Sequence, residues 1–464
     1  MSQGSGAALS LLGEFFPPDL SPGYLAAMGE PLLQTVAMAI GGMMIALVIG
    51  LPAAMLIGSR APGGRPLHAV LTGVRAIPDL TLAILCVVVF GLGPSAGMLA
   101  LSIFYTAMVG KVYADLFLTA NRAPIEALQA TGAGRMSVAL FGFVPLTLKD
   151  LMSFGCYSFE CAVRAAVIVG AVGGGGLGTE LVGTLNGFQF HRAATIIIVL
   201  VLLVLSLDAL SWLLRKKPKA VFWVLPFGAY ALWAYRPQFF TLGHAVSTIG
   251  GMFPPQLSEQ ALWDVPRLIW ETLLVAVGGT VIAAVVGLFA GVLAARNIVP
   301  LAVVGAVRLA LAVFRAVPEV VWGLVLVAVI GVGPVAGVFA LAIHNIGVLG
   351  KLYAESFENV EQAPVRAIEA TGAPRASAVL FAIIPLGLGP AAVNTLFRME
   401  WNLRAATVVG MIGAGGIGQA LYNAQQIFAY KQMMAYIVIT WGIVLVSEWL
   451  SKVTRDRYGW SVYC

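Results

Sequence analysis

The sequence predicts an all-α polytopic membrane protein: two tandem five-helix repeats joined by an extra transmembrane helix, about eleven spans in all. Three observations carry this. Of 464 residues, 60% are hydrophobic and 10% charged, against roughly 25% charged in an average soluble domain. The apolar runs reach the roughly 20 residues that cross a hydrocarbon core as a helix, and they lack the two-residue alternation of a membrane β-barrel. The chain also repeats itself.

The repeat is read from four pairs of segments. RAIPD at Arg75 recurs as RAVPE at Arg315, and GKVYAD at Gly110 as GKLYAE at Gly350. ATGAGR at Ala130 recurs as ATGAPR at Ala370, and VGAVGGGGLG at Val169 as VGMIGAGGIG at Val409. All four share one offset of 240, ungapped from Arg75 to Gly178. Chance likeness between Gly- and Ala-rich helices does not hold one register over that length. Upstream the offset is 237, pairing Phe16-Pro17-Pro18 with Phe253-Pro254-Pro255 and Thr35 with Thr272. Downstream, Asp208 pairs with Glu448 and Arg215 with Arg455.

In chain order, spans are expected over 32–57, 67–92, 95–118, 138–168 and 193–214, repeated over 267–295, 301–330, 335–357, 378–408 and 432–453. An odd number of spans inverts the chain, so one more crossing is needed for both halves to face the same way. AVFWVLPFGAYALWAY at 220–235, with its flanks and its Trp and Tyr belt, supplies it. The expected division is a first half over 1–215, a linker with the extra helix over 216–250 and a second half over 251–464. The halves are then related by a pseudo-two-fold axis along the membrane normal.

Lys and Arg gather in short loops at Arg60 and Arg65, at Arg215, Lys216, Lys217 and Lys219, and at Lys452, Arg455 and Arg457. All fall on one side, cytoplasmic by the positive-inside rule, which puts the N-terminus outside and the C-terminus inside. This topology accounts for the net charge of +6 without nucleic acid. The N-terminus has no basic stretch, so a cleaved signal peptide is not expected. Cys86, Cys156, Cys161 and Cys464 show no metal-ligand spacing. His68, His191, His244 and His344 are dispersed, and no catalytic constellation is visible.

Two loops on the cytoplasmic side, PIEALQATGAGR and PVRAIEATGAPR, each read as a short surface helix, begun by Pro124 or Pro364 and ended by Gly132 or Gly372. A single such loop is by default a connector; two near-copies at equivalent positions point to a docking surface. Glu126, Ala127, Gly132 and Pro145 resemble the signature loop of permease subunits of bacterial binding-protein-dependent ABC importers. In the second half Ala367, Gly372 and Pro385 keep register, while Arg366 stands where that family has Glu. The resemblance implies coupling helices docking on ATPase subunits, through Glu126, Ala127, Thr131, Gly132 and Arg135 and through Arg366, Ala367, Glu369, Thr371, Gly372 and Arg375. Within that superfamily GKLYAESFENVEQAPVRAIEATGAPR, RMEWNLRAATVVGMIGAGGIG and the R-x-x-P-E motif at Arg315 are similar to the phosphonate permease group. That implies a phosphonate, phosphite or phosphate cargo, an extracytoplasmic binding protein and two cytoplasmic ATPases that bind ATP and Mg. No cofactor is then expected in this chain, and the expected place is the bacterial inner membrane.

Charges within spans are costly and mark a pathway or a pair. Arg75 and Asp79 match Arg315 and Glu319; Glu160 and Arg164 match Glu400 and Arg404. Each pair is four residues apart, expected on one helix face. Two readings stand: a structural salt-bridge network, or arginines lining a route for an oxyanion. The glycines of VGGGGLG and IGAGGIG, among them Gly173, Gly175, Gly176, Gly413, Gly415 and Gly416, follow a hydrophobic helix and no strand, which excludes a phosphate loop. They are expected to break the end of the fourth span, as a gate or for close packing. Methionine or another small nutrient remains an alternative cargo, and a secondary transporter the alternative class.

Overall fold

The computed structural model describes residues 13–216, 221–235 and 242–457. Among them every regular element is helical, as lipid, which offers the backbone no hydrogen-bond partners, requires. They fall into two compact units, Gly13–Gly251 and the chain from Met252 onward. The first unit holds α1 (Gly29–Gly58), α2 (Gly64–Arg75), α3 (Asp79–Phe90), α4 (Pro94–Thr119), α5 (Arg122–Ala130), α6 (Val144–Val169), α7 (Leu177–Asn186), α8 (Phe190–Lys216), α9 (Val221–Ala234) and α10 (Leu242–Gly251). The second repeats the first eight as α11 (Glu259–Ala294), α12 (Leu301–Ala316), α13 (Glu319–Ile330), α14 (Pro334–Glu358), α15 (Gln362–Ala370), α16 (Ile384–Val409), α17 (Gly416–Gln426) and α18 (Tyr430–Arg457).

Eight helices among the described residues are long and apolar enough to cross a membrane, or up to ten spans if each of two bent pairs counts as one. Those pairs correct the expectation of continuous helices over 67–92 and 301–330. The limbs of α2 and α3 meet at 88°, those of α12 and α13 at 81°. The breaks fall at Pro78 and Pro318, each immediately before the second limb. Proline has no N–H to donate and keeps the residue before it out of helical conformation. Arg75 therefore ends one limb while Asp79 begins the next, and Arg315 and Glu319 are divided in the same way. The four-residue spacing therefore spans a bend between two limbs and does not lie along one continuous helix face.

The extra crossing expected at 220–235 falls on α9, a helix of 14 residues. At 1.5 Å per residue it spans about 21 Å, against about 30 Å of hydrocarbon. Residues 217–220 and 236–241 beside it lie outside the described residues.

Within each unit the long first helix packs along the fourth-in-order helix, α1 on α4 and α11 on α14. Glycine makes this approach close: a Cβ on Gly50 would stand 3.2 Å from the Gly110 amide nitrogen, and one on Gly287 3.3 Å from that of Gly350. In lipid, where burial of apolar surface drives little helix association, such backbone proximity supplies the van der Waals contact.

Candidate functional site

The two surface helices are anchored by one apolar side chain each, Ile125 in α5 and Val365 in α15, both buried. Opposite that anchor, Glu126, Ala127, Thr131, Gly132 and Arg135 are exposed, as are Arg366, Ala367, Glu369, Thr371, Gly372 and Arg375. Gly132 (φ 81°) and Gly372 (φ 77°) end the helices in the left-handed conformation that glycine adopts without penalty. The first helix is capped by Asn121, which accepts from the Ala123 amide at 3.1 Å. At the second, Glu361 makes no cap bond; instead the Arg375 guanidinium donates to the Asn297 carbonyl at 3.0 Å. The turn carrying Asn297 is itself braced, because Glu358 accepts from the Arg296 amide and the Arg308 guanidinium, both at 2.7 Å. The two loops thus share a shape and differ in how they are held.

The membrane charges are partly re-paired relative to the expectation. Glu160 meets Arg215 of α8 at 3.2 Å, and the Arg164 guanidinium reaches the Cys161 sulfur at 3.4 Å. In the second half Glu400 and Arg404 do meet, at 3.4 Å, and Arg404 also bonds Glu448 of α18. The Arg404 side chain is 7% exposed, Glu400 12% and Glu448 13%. Glu319 lies 3.5 Å from His344 Nε2, and His344 Nδ1 is 2.9 Å from the Val317 carbonyl in the chain break.

A second polar cluster sits within the second half, at positions where the two halves differ. Arg398 of α16 donates through Nε to Asn345 of α14. Asn345 donates to Asn402 at 2.9 Å, and Asn402 to Thr280 of α11 at 2.8 Å. Both asparagines are fully buried. The aligned first-half residues are Ser158, Tyr105, Ala162 and Met43, so the cluster has no counterpart among the charges that recur in both halves. Polar residues inside an apolar run of one half alone were the available signal.

At the glycine-rich segments α6 and α16 end in π-turns, Gly170–Gly174 and Gly410–Ala414, and break at Gly173 (φ 99°) and Gly413 (φ 112°). Gly175, Gly176, Gly415 and Gly416 also have positive φ. The chain then starts α7 or α17, whose first amides are bonded to the first long helix of the same unit. Gly176 and Leu177 donate to Gln34 and Thr35, both at 2.9 Å; Gly416 and Ile417 donate to Glu271 at 2.9 Å and Thr272 at 3.0 Å. These side chains fill the orphan donors of a helix N-terminus.

With this geometry in view, the family model described as "Binding-protein-dependent transport system inner membrane component" matches residues 46–219 and again 276–459. The chain belongs to that family. It is a multi-pass membrane component holding two copies of the family's domain in tandem. It is similar over 98% of its length to the phosphate-import permease protein PhnE of Mycolicibacterium smegmatis, at 29% identity and covering 90% of that protein. Over 46% of its length it is 37% identical to the phosphite transport system permease protein PtxC of Stutzerimonas stutzeri, covering 78% of it. Among solved structures, an inward-facing MetNI methionine ABC transporter matches at 24% identity and a TM-score of 0.36, over 39% of this chain and 92% of that one.

Proposed function

We propose that the chain is the complete transmembrane core of an ATP-driven importer for a phosphorus oxyanion: phosphate, phosphite or a phosphonate. The observation that carries this is the similarity to a phosphate-import permease along nearly the whole chain, tandem halves included. An extracytoplasmic binding protein would deliver the anion, and two cytoplasmic ATPases, holding ATP and Mg, would dock on α5 and α15. In this reading α5 and α15 couple nucleotide-driven closure to the helices above them, each through its exposed face around Glu126 or Arg366. In this reading that face is cytoplasmic and the N-terminus outside, which the basic loops at Arg60, Arg65 and Arg215 to Lys219 support through the positive-inside rule. Gly173, Gly175 and Gly176, with Gly413, Gly415 and Gly416, form the gate, because their turns tie the short helices α7 and α17 to the first long helix of each half. Arg75, Asp79, Glu160, Arg164, Arg315, Glu319, Glu400 and Arg404 are assigned to the substrate pathway; those held in ion pairs keep the helices registered.

Uptake by the full complex in liposomes, with its binding protein, tests this. Phosphate, phosphite or methylphosphonate is expected to accumulate in an ATP-dependent manner, and methionine is not. ATP-dependent uptake of methionine alone would remove the cargo assignment, and accumulation driven by an ion gradient without ATP would remove the importer assignment.

A further inference from the structure

The turn between α7 and α8 and its counterpart between α17 and α18 share a feature that local rules disfavour. At the end of α7 the Phe188 amide donates to the Leu185 carbonyl at 3.1 Å and the Gln189 amide to the Thr184 carbonyl at 2.8 Å. These bonds put Phe188 in the left-handed slot after the helix, where glycine is usual, and its φ is 53°. The same two bonds, from Phe428 to Gln425 at 3.0 Å and from Ala429 to Ala424 at 2.9 Å, hold Phe428 at φ 57°. A bulky residue is strained there. In the first half the permissive residues Asn186 and Gly187 stand immediately before the slot, and the slot is still Phe. Burial does not offset the strain, since Phe188 is 80% exposed and Phe428 73%. Each ring meets the aromatic residue two positions on edge to face, Phe190 at 6.2 Å and Tyr430 at 6.1 Å.

The surroundings of both rings are polar. Arg192 pairs with Asp19 at 3.3 Å and donates to Gln189 at 3.0 Å, and His191 Nδ1 lies 2.8 Å from the Pro17 carbonyl oxygen. With Pro18 these residues line an open recess of about 650 Å3 next to Phe188 in sequence. In the second half Lys431 is exposed three positions past Phe428, and its carbonyl accepts from the Gln256 amide at 3.3 Å. Ion pairs and open recesses of this kind belong in water and not in hydrocarbon. Phe16 and Phe253, on the segments bonded to these turns, are exposed as well. Both turns follow α6 or α16, whereas α5 and α15 precede them, so in the orientation proposed above the rings are extracytoplasmic. Strain kept at an exposed position points to a side chain presented for use, and aromatic rings are the usual anchors of protein interfaces. His191, Arg192 and Lys431 give the rim a basic character that calls for acidic groups on the partner.

We infer that Phe188 and Phe428 are anchors, one in each half, on which the extracytoplasmic binding protein docks, each ring entering an apolar pocket edged by carboxylates on that protein. This rests on the importer reading above. The test is the affinity of the binding protein used for uptake towards the complex in lipid nanodiscs, with ATP hydrolysis and thermal unfolding measured on the same preparations. Replacement by glycine is informative because it removes the ring and the strain together. F188G/F428G is expected to bind at least roughly tenfold more weakly, the weight of an interface anchor, with an unfolding temperature equal to or above that of the wild type. The concentration of binding protein that half-stimulates hydrolysis should rise by the same factor, while the rate at saturation is kept. F188Y/F428Y should keep most of the affinity, and F289A, which removes an exposed ring near the other end of α11, should keep all of it. If the wild type binds and F188G/F428G binds equally well, the inference is wrong and the importer assignment stands; a fall in unfolding temperature in that variant would then place the rings in lipid. Affinity and unfolding temperature falling together in F188G/F428G and F188Y/F428Y would make the rings structural and overturn it as well. A wild-type complex that binds no such protein overturns the importer assignment and this inference with it.

Discussion

Gly418→Ala is expected to leave little folded protein at physiological temperature. A Cβ at that position would stand 1.9 Å from the Thr407 carbonyl oxygen and 3.0 Å from the Met411 amide nitrogen. Both are backbone atoms, one in the last turn of α16 and one in the π-turn that follows it, so no rotamer change relieves the contact; α17 has to move away from them. Moving it breaks the bonds from Gly416 to Glu271 and from Ile417 to Thr272 that hold the start of α17. Overpacking of this kind costs on the order of 3 kcal/mol, and each lost cap adds about 1 kcal/mol. Gly178→Ala should behave alike, with its Cβ 2.0 Å from the Val167 carbonyl oxygen. Gly442→Ala in α18 is the control, since nothing lies within 4 Å of a Cβ there, and alanine is the better helix former by roughly 0.5–1 kcal/mol. The measurement is thermal unfolding in detergent followed by a thiol probe of buried Cys86 and Cys156. An unfolding temperature for G418A equal to that of G442A would show that the turn is looser than its geometry.

Arg404→Leu is expected to have the second-largest effect on stability. It removes the guanidinium that Glu400 of its own helix and Glu448 of α18 share, in surroundings that leave little of any of the three side chains exposed. Removing one partner from a buried ionic set costs about 3–5 kcal/mol, whereas replacing the whole set with apolar residues of similar volume is often neutral. The triple variant E400L/R404L/E448L should therefore recover most of the unfolding temperature lost by R404L. The outcome separates the two roles open to this arginine. Loss of stability in R404L, repaired in the triple variant, assigns it to the fold; an unchanged unfolding temperature with lost uptake assigns it to the route.

What the sequence discloses here is what recurs. The repeat survives in Arg75 and Arg315, in the paired Gly-rich segments and in the two surface loops, and residues that recur can be matched without any structure. Long apolar runs disclose the long helices for the same reason that lipid permits little else. Two signals were present but outweighed. Pro78 and Pro318 sit between the charges expected to pair, and the length of the apolar run hides the fact that each proline splits it. The contact of Glu160 with Arg215, 55 positions away, depends on how α8 lies along α6 and leaves no local trace. The third case is different in kind. Thr280, Asn345, Arg398 and Asn402 occur in one half only, so a comparison of the halves discards the positions at which they have diverged.

That divergence gives the fusion a physical meaning. Two separate identical permeases would present every intramembrane group twice, whereas one chain with two halves can carry the Arg398–Asn345–Asn402–Thr280 hydrogen-bond chain in one half and Ser158, Tyr105, Ala162 and Met43 at the matching positions of the other. The surface loops diverge too: Asn121 caps the first, while Arg375 and the Glu358-braced turn hold the second. If the two halves do the work of two permeases, one copy of this chain provides the entire transmembrane core. The direct measurement is the native mass of the intact complex purified from membranes. One copy of this chain with two ATPase subunits is the predicted composition, and a complex containing two copies of the chain would contradict it.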